Sequence, residues 1–307
     1  MADKVPPTYT LDDLLTPQAK SALAQWEIMA RRTIGGVMHG LHASKRLGVS
    51  AEFDHHKNYQ PGDPLRHIDW KASARHDRYF VKRYIEESAL RVRVVVDHSA
   101  SMRFATGDGP TKYLQAARLA AQLAYLVIGH GDSVGLTMAA AGNALWLPAG
   151  ATQRHLVRML GALAAAAADG TDALPAALAA VVQRGERRGL VALISDLMYD
   201  PDGVQRPLAQ LLAQGHELLV FVVRDPTEED FPFNRWVQFG DLENRSVKHR
   251  LDALVLKRLY REEYQRLQEG WQAWARKRDV HLVGFRTDQR VDAVLSEYLA
   301  FRNGLIG

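Results

Sequence analysis

Asp97, Ser99 and Ser101 place one carboxylate and two hydroxyls on alternate residues directly after the valine-rich run "VRVVV". A buried strand that exits into three oxygen donors admits four kinds of chemistry. The plainest is a turn at Asp97 with Ser99 or Ser101 capping the next helix. A hydrolase triad is weakened because His98 adjoins Ser99 in sequence and no Gly-x-Ser-x-Gly elbow is present. An aspartyl-phosphate enzyme would use Asp97 as nucleophile, but Ser99 stands where such enzymes carry their second aspartate, the general acid. The fourth reading is a hard divalent cation, which takes oxygen ligands in octahedral geometry and keeps several waters. Two further donors belong to that reading: Thr171 in "DGTDALPAAL" and Asp196 in "ISDLMYD".

The elements that must position these residues follow from apolar periodicity. Strands are expected at 92–97, 133–139, 143–147, 190–195, 217–223 and 280–285. Helices are expected at 112–129, 152–167, 173–184, 204–214, 255–278 and 289–301. Three strands are almost wholly apolar, which suits parallel strands covered on both faces. The alternation predicts a doubly wound α/β sheet, and "AAG" between 133–139 and 143–147 predicts a hairpin with one antiparallel edge strand. Open α/β sheets bind ligands at the carboxyl ends of their strands, and two of these strands end in Asp97 and Asp196. Ahead of the sheet, 11–32 reads as a helix, and the Gly- and His-rich stretch after it reads as irregular with short strands.

The 307 residues fit one elaborate domain, or a domain plus a smaller unit. Thirty-nine basic against thirty-five acidic residues is too small an excess to indicate nucleic-acid binding. There is no cysteine, so disulfides and thiolate chemistry are excluded. No apolar signal core or run of eighteen apolar residues occurs, so the expectation is a cytoplasmic protein without membrane insertion. No P-loop and no strand-linked GxGxxG is present, which argues against nucleotide use by this chain.

Asp-x-Ser-x-Ser after a first strand, a later loop Thr and an Asp after a fourth strand resemble the von Willebrand factor A domain. By that resemblance the metal-ion-dependent adhesion site would comprise Asp97, Ser99, Ser101, Thr171 and Asp196. Ser99, Ser101 and Thr171 would be direct ligands, and the two aspartates would act directly or through water. The segment "YQPGDPLRHIDWKASARHDRYFVKRYIEE", running into "VVVDHSASM", is similar to the bacterial family called domain of unknown function fifty-eight. The likeness continues through "GTDALPAAL", "LISDLM", "GDLEN" and "YLAFR", over roughly residues 35 to 303. Asn58 departs from it where family members often have Arg, and the N-terminal membrane helices of many related proteins are missing. The resemblance implies a von Willebrand A-like domain over 91–307, preceded by a helical and irregular segment over 1–90. It also implies association with a MoxR-type AAA+ ATPase.

Around Trp70, the segment 57–87 is expected to be a brace: Pro61-Gly62-Asp63 turns, Ile68 and Trp70 pack, and Arg66 pairs with Asp69. His55 and His56 are adjacent, so on a strand they point to opposite faces and suit a polar surface better than a metal. Interleaved Glu86 and Glu87 dilute Lys82, Arg83, Arg91 and Arg93 as a phosphate surface. Leu256, Leu259, Leu267, Trp271 and Trp274 form a helical stripe expected to be core. Together these features point to a non-enzymatic, metal-dependent binding or adaptor protein. Its ion would be Mg²⁺ or Mn²⁺, weakly held, and the resemblance implies the MoxR-type ATPase or a client as its partner. An Mg²⁺-dependent phosphohydrolase using Asp97, or an A-like domain with a degenerate site, are the rival readings.

Overall fold

Along every central strand, alternate side chains enter opposite hydrophobic clusters. Val94 and Val96 join one and Val95 the other; Ile194 and Leu193 divide in the same way, as do Phe221 and Val220. Burial on both faces is why these strands read as unbroken apolar runs. The computed structural model describes residues 9–24, 51–60, 63, 68–76, 78–86, 90–138, 144–166, 173–232, 236–240 and 248–302. Its contacts divide the chain into one unit of Met1–Met29 with Leu90–Gly307 and a second of Ala30–Ala89.

The larger unit begins with helix α1 (Leu11–Leu14), capped by a Thr10/Asp13 capping box, and a helix α2 through 17–24. In the smaller unit, β1 (Ala51–Asn58) pairs antiparallel with β2 (Phe80–Glu86), with α3 (Trp70–His76) between them. The large sheet is built from β3 (Arg91–Val96), β4 (Ser133–Met138), β5 (Leu145–Gly150), β6 (Leu190–Ser195), β7 (Glu217–Arg224) and β10 (His281–Arg286). Its order is β10-β7-β6-β3-β4-β5, parallel throughout except for β5. Counting strands of this sheet in chain order gives 3-2-1-4-5-6, a doubly wound sheet whose direction of winding reverses between β3 and β6.

Helices α4 (Lys112–Gly129), α5 (Gln153–Ala165) and α10 (Val291–Arg302) cover one face, joined by Leu14, Leu15 and Leu23. Helices α6 (Ala173–Arg184), α7 (Pro201–Ala213) and α9 (Ala253–Arg276) cover the other. Trp271 and Trp274 of α9 are buried there, as the stripe predicts, and Leu267 packs partly buried beside them, but Leu259 of the same stripe is 59% exposed and not core. A short helix α8 (Pro226–Asp230) follows β7, and β8 (Trp236–Gly240) pairs with β9 (Lys248–Asp252) in a small hairpin the periodicity does not announce. The α/β, von Willebrand A-like architecture is therefore present, with the expected antiparallel edge strand.

Arg93 is the exception in this apolar sheet. It is buried, and its guanidinium bonds Glu186 (2.5 and 3.0 Å) and the Leu147 carbonyl (2.7 Å) while lying 3.8 Å over Trp146. Gly135, its partner across β4, leaves the room: a Cβ there would fall 2.5 Å from the guanidinium.

The smaller unit corrects one expectation. Ile68 is buried and bridges Val81, but Trp70 is 64% exposed, its ring edge-to-face with exposed Tyr79 at 6.1 Å. Trp70 opens α3, whose first turn is held from below, because Asp69 accepts from the backbone of Lys71 and Ala72. The helix turns the indole outward. Arg66, Pro61 and Gly62 lie outside the described residues, as do the side chains of His55 and His56. Trp70→Ala should accordingly cost less than about 1 kcal/mol, the worth of the aromatic pair, rather than the roughly 3–5 kcal/mol of a buried ring. Urea unfolding measures the difference, and a loss above about 3 kcal/mol would restore the buried reading.

Candidate metal centre

Strands β3 and β6 end side by side at the winding switch, so Asp97 and Asp196 emerge at adjacent carboxyl ends. The Asp97 amide donates to the Ile194 carbonyl at 2.9 Å, extending the ladder one residue beyond β3. Asp97 is fully buried. Its Oδ1 accepts from the Ser99 amide (3.0 Å) and the Tyr199 hydroxyl (3.1 Å), and its Oδ2 from the Ser195 hydroxyl (2.5 Å). Ser195 in turn accepts from the Leu197 amide at 2.9 Å. Leu197 has φ of 55°, an unusual value for a branched residue, and this turn presents Asp196 to the site.

Ser99 occupies the N-cap position of the 3₁₀ turn Ala100–Arg103, yet its side chain makes no capping bond. The capping reading is thus not realised by Ser99. Its hydroxyl instead lies 2.9 Å from that of Ser101. His98, the only sequence-adjacent base, is buried edge-on against Tyr113 at 5.3 Å.

Sequence reasoning missed Lys112. It is the first residue of α4, after the N-cap Thr111, and its side chain is 1% exposed. Its ammonium donates to Asp196 Oδ2 at 2.7 Å and to Glu228 Oε1 at 2.6 Å. Burial alone would lower its pKa, but the charges of Asp196 and Glu228 more than reverse that and raise it. Burial pushes Asp97 up to about 6, with the Asp196 charge adding to the rise. Burial also raises Glu228, against the pull of Lys112. A helix N-terminus disfavours cations, so Lys112 is held in place by these carboxylates against its local setting.

Asp225, also fully buried, closes the rim. It accepts from the Thr106 amide (3.2 Å) and hydroxyl, the Thr227 amide (2.9 Å) and the Thr287 hydroxyl (3.1 Å), drawing together the loops after β3, β7 and β10. On the far side, Asp196, Leu197 and Met198 line a small cleft with Tyr264 and Trp271 of α9. Met198 is 41% exposed at this edge.

Four of the five sequence-predicted residues, Asp97, Ser99, Ser101 and Asp196, are therefore gathered at the switch point; Thr171 lies outside the described residues. Their chemistry fits a hard divalent cation. All donors are oxygens, and Mg²⁺–oxygen distances of 2.0–2.1 Å place neighbouring octahedral ligands about 2.9 Å apart. That matches the Ser99–Ser101 separation, which equally serves a hydroxyl–hydroxyl hydrogen bond. Among the described residues no three His, Cys, Asp or Glu gather as a metal cluster, so any ion here relies on hydroxyls.

The uncharacterised proteins Rv1480 of Mycobacterium tuberculosis and Mb1516 of Mycobacterium bovis are each 30% identical over 246 residues, 79% of this chain and 77% of theirs. Among solved structures, BatB from Bacteroides thetaiotaomicron aligns over 70% of this chain and 100% of its own, with 17% identity and a TM-score of 0.44. The SpRpn10 VWA domain aligns over 68% and 95%, with 10% identity and a TM-score of 0.40. No helix among the described residues is long and apolar enough to cross a membrane. The model of the protein of unknown function DUF58 matches residues 55–289, and the chain belongs to that family.

Proposed function

We propose that this chain is a non-enzymatic, metal-dependent protein-binding module in which a weakly held Mg²⁺ or Mn²⁺ bridges to a partner carboxylate. The observation that carries this reading is the charge balance at the switch point. Asp97, Asp196 and Glu228 are three buried or largely buried carboxylates, and Lys112 is the one cation bonded to them among the described residues. Uncompensated buried charge is costly, so the site must take up protons or a cation. Asp97, Ser99, Ser101 and Asp196, with Thr171, would hold the ion directly or through water. The ion would supply a Lewis-acidic position for an oxygen ligand of the partner.

The family resemblance suggests the partner class, a MoxR-type AAA+ ATPase or its client. Purified ATPase from the same cell should be retained on the immobilised chain in Mg²⁺. EDTA, Asp97→Ala and Thr171→Ala should each release it while leaving the circular-dichroism melt cooperative. Retention through all three treatments would place the interface elsewhere.

A further inference from the structure

We infer that Lys112 is a resident rival cation of this site: its ammonium already holds Asp196 and so sets how weakly the site takes a divalent ion. This rests on the metal reading above but concerns a residue outside the ligand set. Lys112 reaches Asp196 Oδ2 at 2.7 Å and Glu228 Oε1 at 2.6 Å from a side chain 1% exposed. Glu228 is a fixed arm, since its other oxygen accepts from the Asp225 amide at 3.1 Å in the capping box of α8. When an ion draws on Asp196, the ammonium therefore keeps a partner that does not move. The neighbouring basic residue Arg224 is engaged elsewhere, with Glu229 at 3.1 Å.

The charges give the sign. With Lys112 present, Asp97, Asp196 and Glu228 leave two negative charges for a divalent ion to meet. Without Lys112 they leave three, and Asp196 Oδ2 is released. Neutralising Glu228 has the opposite effect, leaving one. A buried lysine that only braced α4 against α8 would change stability and leave ion affinity alone.

Mn²⁺ affinity of the full chain, by electron paramagnetic resonance and calorimetry at pH 7, separates these cases. Lys112→Met should bind Mn²⁺ at least about tenfold more tightly than the unaltered chain, the scale of a nearby buried charge at intermediate dielectric. Its melting temperature, lowered without metal, should rise steeply with Mn²⁺. Glu228→Gln keeps Lys112 paired with Asp196 and keeps a side chain suited to the capping box, so it should fold and bind several-fold more weakly. Affinities of both variants within about twofold of the unaltered chain would make Lys112 a brace and overturn the inference, since a neighbouring buried charge is worth more than that. If the unaltered chain takes no Mn²⁺ while Lys112→Met does, the inference stands and the metal-dependent function falls. If neither takes it, both fall.

Discussion

In buffer containing EDTA, the free energy of unfolding should drop by about 2 kcal/mol between pH 4 and pH 7 through Asp97 alone, and Asp97→Asn should remove that component. The sign follows from the direction of the shift. Burial, with the Asp196 charge second, raises the folded-state pKa to about 6 from 3.8, so the native state holds a proton the unfolded chain has released. That stability is complete below the unfolded value and is lost as pH climbs through about 6. Glu228, also raised by burial, contributes with the same sign. His216, lowered by burial, contributes with the opposite one, which is why the comparison is made between the two proteins at each pH. Asparagine suits the site, because its Oδ1 can accept from Ser99 and Tyr199 while Ser195 turns its hydroxyl to accept. Mg²⁺ should restore the parent's stability at pH 7 and do little for the variant. Equal pH slopes in the two proteins would mean that Asp97 does not keep its proton in the fold.

Arg93→Met should destabilise by about 3 kcal/mol, because it leaves Glu186 and two strand carbonyls without their buried donor. The sharper test is its coupling to Gly135. In the parent, Gly135→Ala drives a methyl into the guanidinium and should cost about 1–3 kcal/mol. On the Arg93→Met background, where a flexible thioether replaces the planar group, the same change should be nearly neutral. A urea-unfolding cycle should therefore return a coupling of at least about 1 kcal/mol, and additivity within about 0.3 kcal/mol would show that the two do not touch.

The sheet was legible from sequence because its signal is redundant. Six apolar runs separated by amphipathic segments admit few other architectures, and observed strand ends differ from expectation by at most three residues. Asp97 and Asp196 were legible for a related reason, since a charge that ends an apolar strand lies at the carboxyl edge wherever the strand sits. The small hairpins were not, because β8 and β9 are five residues each and draw their stability from context. Trp70 misled because composition cannot show which way a helix's first residue faces. Lys112 left a readable trace: a lysine at the first position of a helix, with no acidic residue in its first turn, opposes the helix dipole. Such a residue implies carboxylates brought from elsewhere in the chain, here residues 84 and 116 positions away.

Asp225 bears on when the site comes into existence during folding. Its bonds to Thr106 and Thr287 span 119 and 62 residues; the first waits for strands from both halves of the sheet, and the second for β10 to dock beside β7. Closing such long loops is entropically expensive, and their reward arrives late on the pathway. The rim is thus a product of the completed topology, and an N-terminal fragment emerging during synthesis would carry Asp97, Ser99 and Ser101 without a formed centre. Once formed, the same latch denies these loops independent opening. The Thr106 and Thr227 amides should exchange their hydrogens on the timescale of global unfolding, unlike ordinary surface loops.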